Sequence, residues 1–181
     1  VPKNKDPQDQ QDPQDLEIEA TGAMAADEEV VESVVPAPPV VLVIPGEGIH
    51  FTKVTASPLL APGAIGPYSQ AMKAGRLLNL TPQIPVDPKT GKLTQGSFKD
   101  RVRQVMKNVT TVCETIDGDM NRIVKLTVSL LTFDNNNFDV LNEVIKEFFK
   151  EPYPARATLI VPELPKGVDI SIEAMLVFDK K

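Results

Sequence analysis

Two residues of this chain stand out for the chemistry they could do. Arg156 follows Tyr153-Pro154-Ala155 and enters an apolar stretch. Arginine is seldom fully buried without an anion to pair with, and its planar fork suits a carboxylate held by two parallel hydrogen bonds. Glu173 is a carboxylate flanked by Ile172 and Ala174 in a second apolar stretch. On residue type alone, the two are either a structural Arg–Glu ion pair or parts of a ligand site. Tyr68, within Ala64-Ile65-Gly66-Pro67-Tyr68-Ser69-Gln70-Ala71, reads as a turn aromatic. The other reactive types offer less. Cys113 sits at an apolar helical spacing and reads as a buried, inert thiol, because reactive thiols need exposure and a cationic neighbour. His50 has no visible group to orient it as a base. A single His and a single Cys cannot build a His/Cys zinc site, nor can one Cys close an internal disulfide.

The elements that must position these residues follow from periodicity. Arg76–Thr81 reads as a short strand, and the Pro and Gly residues of 84–91 as turn chemistry. Ser97 can cap a helix, with Asp100 three residues on at its positive end. Phe98, Val102, Val105, Met106, Val109, Val112, Cys113 and Ile116 then recur in steps of three and four, and Asp117-Gly118-Asp119 ends the helix. Ile123–Leu131 alternates as a strand. Asn135-Asn136-Asn137 reads as a loop that caps a second helix over Phe138–Lys150, stopped by Pro152 and Pro154. Arg156–Val161 and Val168–Phe178 complete the strands, the latter with Ile170, Ile172, Ala174 and Leu176 on one face and Glu173 on the other. The order predicts an α+β layer with two helices packed on one face of a sheet. No glycine-rich phosphate loop follows a strand.

Charge divides the 181 residues unevenly. Residues 1–55 hold three Lys against eleven Asp and Glu, a net charge of −8, while residues 56–181 carry +2. A remainder so near neutrality, with 5% aromatic residues, provides neither an electrostatic funnel nor a stacking platform for nucleic acid. No apolar run approaches the roughly 20 residues of a membrane span. Residues 1–54 read as an acidic, Pro-containing extension ahead of a globular domain over 55–181. Residues 1–29 have the composition of a solvated tail, whereas Val40–Ile44 is a β-branched apolar run that calls for cover, as an added strand on a sheet edge or in a partner's groove. The chain opens on Val. A removed leader would account for this, and with it an intracellular location, the mitochondrial matrix ahead of the cytoplasm.

Several motifs, in order, resemble one family. Ala61-Pro62-Gly63-Ala64-Ile65-Gly66-Pro67-Tyr68-Ser69-Gln70-Ala71 is similar to the opening signature of the RidA family (reactive intermediate deaminases, also called YjgF). Gln83-Ile84-Pro85, Asp87-Pro88, Thr90-Gly91, Pro154-Ala155-Arg156-Ala157, Leu164-Pro165-Lys166-Gly167 and Ile172-Glu173-Ala174 continue the likeness over about residues 55–178. The resemblance implies a chorismate-mutase-like α+β protomer with a mixed sheet. It implies a homotrimer, the sheets packed into a central barrel and the ligand sites lying between subunits. The implied activity is hydrolysis of reactive enamine and imine intermediates, such as 2-aminoacrylate and 2-iminobutanoate, to a 2-keto acid and ammonia, with no metal or organic cofactor. By position, Arg156 would clamp the substrate carboxylate, Glu173 would position or activate water, and Tyr68 would line the pocket. Thr81 stands where the family usually has Ser, the backbone of Thr158 would contact the ligand, and Asn142 matches a frequent Asn.

One departure bears on function. The chain has Thr81-Pro82-Gln83 where the family usually reads Ser-Gly-Gln. Proline fixes φ and removes an N–H, so a second reading is a catalytically weakened, trimeric accessory subunit of a larger assembly, with the acidic extension binding another protein. RNA cleavage, a third reading, has the charge of residues 56–181 against it.

Overall fold

The computed structural model describes residues 40–43, 48, 50–56 and 60–179. The acidic stretch 1–29, the valines at 30–35, the Pro cluster at 36–39 and Ile44 lie outside the described residues, as does the side chain of His50.

Seven strands form one sheet: β1 (Val40–Val43), β2 (His50–Val54), β3 (Ala71–Ala74), β4 (Leu77–Gln83), β5 (Ile123–Leu130), β6 (Ala155–Ile160) and β7 (Ile170–Val177). Their spatial order is β1-β2-β3-β4-β7-β5-β6, antiparallel throughout except for the parallel pair β5 and β6. Helix α1 (Phe98–Glu114) links β4 to β5, and α2 (Asn135–Phe148) makes the crossover that a parallel β5–β6 pair requires. The α+β architecture, with two helices on one face of a mixed sheet, is the one expected from the sequence. Strands β1 and β2 precede residue 55, yet both are hydrogen-bonded members of the sheet, with β1 at its outer edge. None of the described helices is long and apolar enough to cross a membrane.

The core lies between helices and sheet. Val102, Val105, Met106, Val109, Val112 and Cys113 of α1 are sealed against Leu78 and Leu80 of β4, Leu126 and Val128 of β5, and Ile170, Ile172 and Leu176 of β7. Leu141, Val144 and Ile145 of α2 extend the same cluster. Cys113 is fully buried, and burial pushes its thiol pKa up to about 12, so it is inert as a nucleophile. Neither described α-helix covers the opposite face of the sheet: Asn79 and Glu173 are exposed, and Thr127 and Met175 half-buried.

The helix ends show local chemistry at work. Ser97 Oγ accepts from the Asp100 N–H, and an Asp100 carboxylate oxygen accepts from the Ser97 N–H, so α1 opens on a reciprocal cap. The second helix begins earlier than the sequence suggests. Asp134 is its N-cap, accepting from the Asn137 N–H at 2.7 Å, and the three asparagines form the first turn rather than a loop. The helix also stops at Phe148, two residues short of Lys150. At the end of α1 the Gly118 N–H donates to the Cys113 carbonyl at 2.9 Å, and a Cβ at Gly118 would lie 2.6 Å from that oxygen. Gly118→Ala is therefore expected to cost about 1–2 kcal/mol, read as a lowered Tm in a thermal melt.

Candidate functional site

Strand register decides where the key residues point. Arg156 pairs with Leu126, which pairs in turn with Ala174. Leu126 and Ala174 are buried beneath the helices, so Arg156 belongs to the helix-covered face. Glu173 pairs with Thr127, one position along, and therefore belongs to the open face. The Arg–Glu ion pair that residue types alone allowed does not form: the two side chains leave opposite faces of the sheet.

Arg156 stands on the edge strand β6 with its guanidinium 5.2 Å from the centre of the Phe138 ring in α2. It enters a cleft of about 410 Å³ whose floor is Leu126, Ile145 and Pro154 and whose wall includes Asn142, Lys146 and Tyr153. Partial burial lowers its pKa from the ordinary arginine value, and no carboxylate offsets that shift. Arg101, Arg103 and Arg122 are all in ion pairs, with Asp169, Glu147 and Asp179. Arg76 donates to the Phe178 carbonyl. Arg156 has no carboxylate partner among the described residues and remains charged, so it can receive an anion. Thr158, two residues on, faces the same way and is half-buried. Arg156, Asn142 and Thr158 thus gather on one side of the protomer.

Tyr68, Thr81 and Glu173 gather on the other. Between Leu80 and Gln83 the register of β4 against β7 shifts, so that Thr81 and Pro82 together oppose the single residue Glu173. Such a bulge is where a sheet accepts proline, because the ladder asks for no N–H there. Pro82 is thus housed without a lost ladder bond. Thr81 Oγ1 donates to the Ser69 carbonyl at 2.6 Å, its N–H donates to the Gln70 carbonyl, and Gln83 Nε2 donates to the Thr81 carbonyl. With its proton committed to Ser69, the Thr81 hydroxyl keeps a lone pair for a ligand donor.

Thr81 and Pro82 line a second cleft of about 290 Å³, with Tyr68, Ile65 and Lys166 around it. The Tyr68 hydroxyl accepts from the Ile65 N–H at 3.1 Å, so in this chain it fastens its own loop. Glu173 lies next door in a shallow hollow of about 90 Å³ shared with Asn79, Lys125 and Thr127. It has no ion-pair partner among the described residues.

Two positioning residues escape a reading of the sequence. Buried Gln70 accepts from the Ala56 N–H and donates to the Pro62 carbonyl, both at 2.7 Å, tying down the loop that precedes Tyr68. Asn108 is fully buried on α1 and its amide donates to the carbonyls of Ile84 and Val86, two residues that line the cleft beside Thr81. The signal for Asn108 was available: it is a polar residue three positions after Val105, in an apolar stripe. The signal for its role was not, since its partners lie more than 20 residues away.

The structure thus sets a cationic cleft under α2 apart from the bulge of β4, which faces Glu173 on the open face. The chain resembles known proteins over most of this domain. Residues 59–178 match the family described as Endoribonuclease L-PSP. A RutC family protein of Pyrococcus horikoshii is 48% identical over 115 residues, covering 64% of this chain and 90% of that protein. The human 2-iminobutanoate/2-iminopropanoate deaminase is 42% identical over 117 residues, covering 65% of this chain and 84% of that protein. Among solved structures, RidA from an Antarctic Psychrobacter superposes with a TM-score of 0.64 at 40% identity, over 70% of this chain and 98% of its own. E. coli TdcF with bound serine superposes equally well at 36% identity, with the same coverage. Sequence and fold agree, and this chain belongs to the Endoribonuclease L-PSP family, which includes proteins named YjgF, RidA and RutC.

Proposed function

We propose that the chain hydrolyses reactive enamine and imine intermediates of the 2-aminoacrylate and 2-iminobutanoate type to the corresponding 2-keto acid and ammonia. The observation that carries this reading is the guanidinium of Arg156, charged and, among the described residues, without a carboxylate partner in a cleft that holds an amide and a phenol but no acid. The name of the human relative supports the same substrate class. Water adds to the imine carbon, and the resulting amino alcohol expels ammonia to leave the ketone. Arg156 fixes the substrate carboxylate through two parallel hydrogen bonds, with Asn142 and the backbone of Thr158 beside it. Glu173 positions and activates the water. Thr81 and Tyr68 line the pocket on the same side. The reaction as written consumes water alone, and no metal or organic cofactor enters it.

These groups converge only where the cationic cleft of one copy meets the bulge of another. A homotrimer with sites between subunits supplies that meeting. Its support is the edge strand β6, where Leu159 and Ile160 are 48% and 54% exposed, an apolar edge that needs cover. A weakened accessory subunit has less support, because the sheet accommodates Pro82 in the bulge without a lost ladder bond. RNA cleavage, the activity in the family's description, finds less support in a domain of net charge +2.

The test is direct. An amino acid oxidase generates 2-iminobutanoate in the cuvette, and the purified chain is added. Ammonia and 2-oxobutanoate are expected to form faster than in buffer, whereas a rate equal to the uncatalysed background overturns the reading.

A further inference from the structure

Helix α2 sorts its charges. Glu143 and Glu147, four residues apart, turn toward α1, where they pair with Lys99 at 2.6 Å and Arg103 at 2.7 Å. Asn142 and Lys146, also four apart, form the neighbouring stripe and line the cleft that holds Arg156. Both glutamates are thereby consumed by α1; Asp139, the helix's third acid, is exposed and does not line the cleft, and the lysine is left facing it. Lys146 is in no ion pair among the described residues. The cleft therefore presents two cations, an amide and a phenol, with no carboxylate among the described residues of its lining. Residues 56–181, which hold the cleft, carry only +2 in all, so such a local excess is not the background of a strongly basic surface.

We infer that this cleft selects a substrate with two anionic ends, a 2-imino dicarboxylate, whose α-carboxylate rests on Arg156 and whose distal carboxylate is met by the Lys146 ammonium. Lys146 is then a specificity-determining residue. The inference rests on the imine-hydrolase reading for the reaction, but not for the binding. Because the lysine stem is exposed, the ammonium contributes a modest part of the affinity.

Calorimetric titration with the stable 2-keto acids tests the binding directly. The native chain is expected to bind 2-oxoglutarate about fivefold more tightly than 2-oxobutanoate. Lys146→Ala should erase that preference with little effect on 2-oxobutanoate, and Lys146→Arg should restore it. Equal affinities in the native chain, a preference that survives Lys146→Ala, or no detectable binding of the dicarboxylate would overturn the inference. A kinetic arm separates the two readings. Acceleration of 2-iminobutanoate hydrolysis without a dicarboxylate preference sinks this inference alone. A Lys146-dependent binding preference with no acceleration of either imine supports the dicarboxylate site and sinks the hydrolase reading.

Discussion

Replacing Arg156 by Ala is expected to lower imine hydrolysis steeply while leaving the protein folded. The side chain pairs with no carboxylate among the described residues, so removing it strands no buried acid there. Structurally the loss is one cation–π contact with Phe138 at a partly exposed site, worth about 0.5–1 kcal/mol. Functionally the loss is the anchor of the substrate, about 2–5 kcal/mol if the carboxylate is held in a desolvated cleft. That corresponds to a fall of roughly 30-fold to several thousand-fold in kcat/KM. Arg156→Lys keeps the charge but not the fork, and should fall between the two. A melt and a kinetic assay on each variant are sufficient. An Arg156→Ala protein with native kcat/KM would remove this residue from the mechanism.

The second large effect belongs to Glu173. Changing it to Gln keeps size and hydrogen bonding but removes the base, and kcat is expected to drop about 10²–10⁴-fold. Stability should hardly move, because the carboxylate is exposed and in no ion pair among the described residues. The two variants together test the geometry. If the site joins Arg156 of one copy to Glu173 of another, subunits of Arg156→Ala and Glu173→Gln mixed and reassembled regain activity at about a quarter of the sites, the random fraction in which both native residues meet. If both residues served a site from within one chain, the mixture would stay as inactive as its parents.

How much of this was legible beforehand depended on distance along the chain. The first helix could be read residue by residue, because Ser97, Asp100 and the apolar stripe act within one or two turns. The start of α2 was missed because Asp134, not the asparagines, takes the extended backbone of a cap. Strand β3, four residues of Ala-Met-Lys-Ala, carries little intrinsic β signal and exists because β2 and β4 flank it. Strand β7 was plain from its alternation. Arg156 and Glu173 were singled out as residue types, but their relation was not visible. It depends on β5 lying between them in register, and one step of register exchanges the faces. Pro82 is the reverse case: a proline inside an apparent strand already signals a bulge.

That separation of faces has a kinetic meaning. A side chain on one side of a sheet cannot reach through it, so on the proposed mechanism a lone protomer holds an anchor without a base beside it. Chemistry that uses both has a molecularity above one in the polypeptide. On that mechanism turnover per chain depends on how much protein is present, and the sheet, by keeping the two groups apart, would make catalysis a reporter of association.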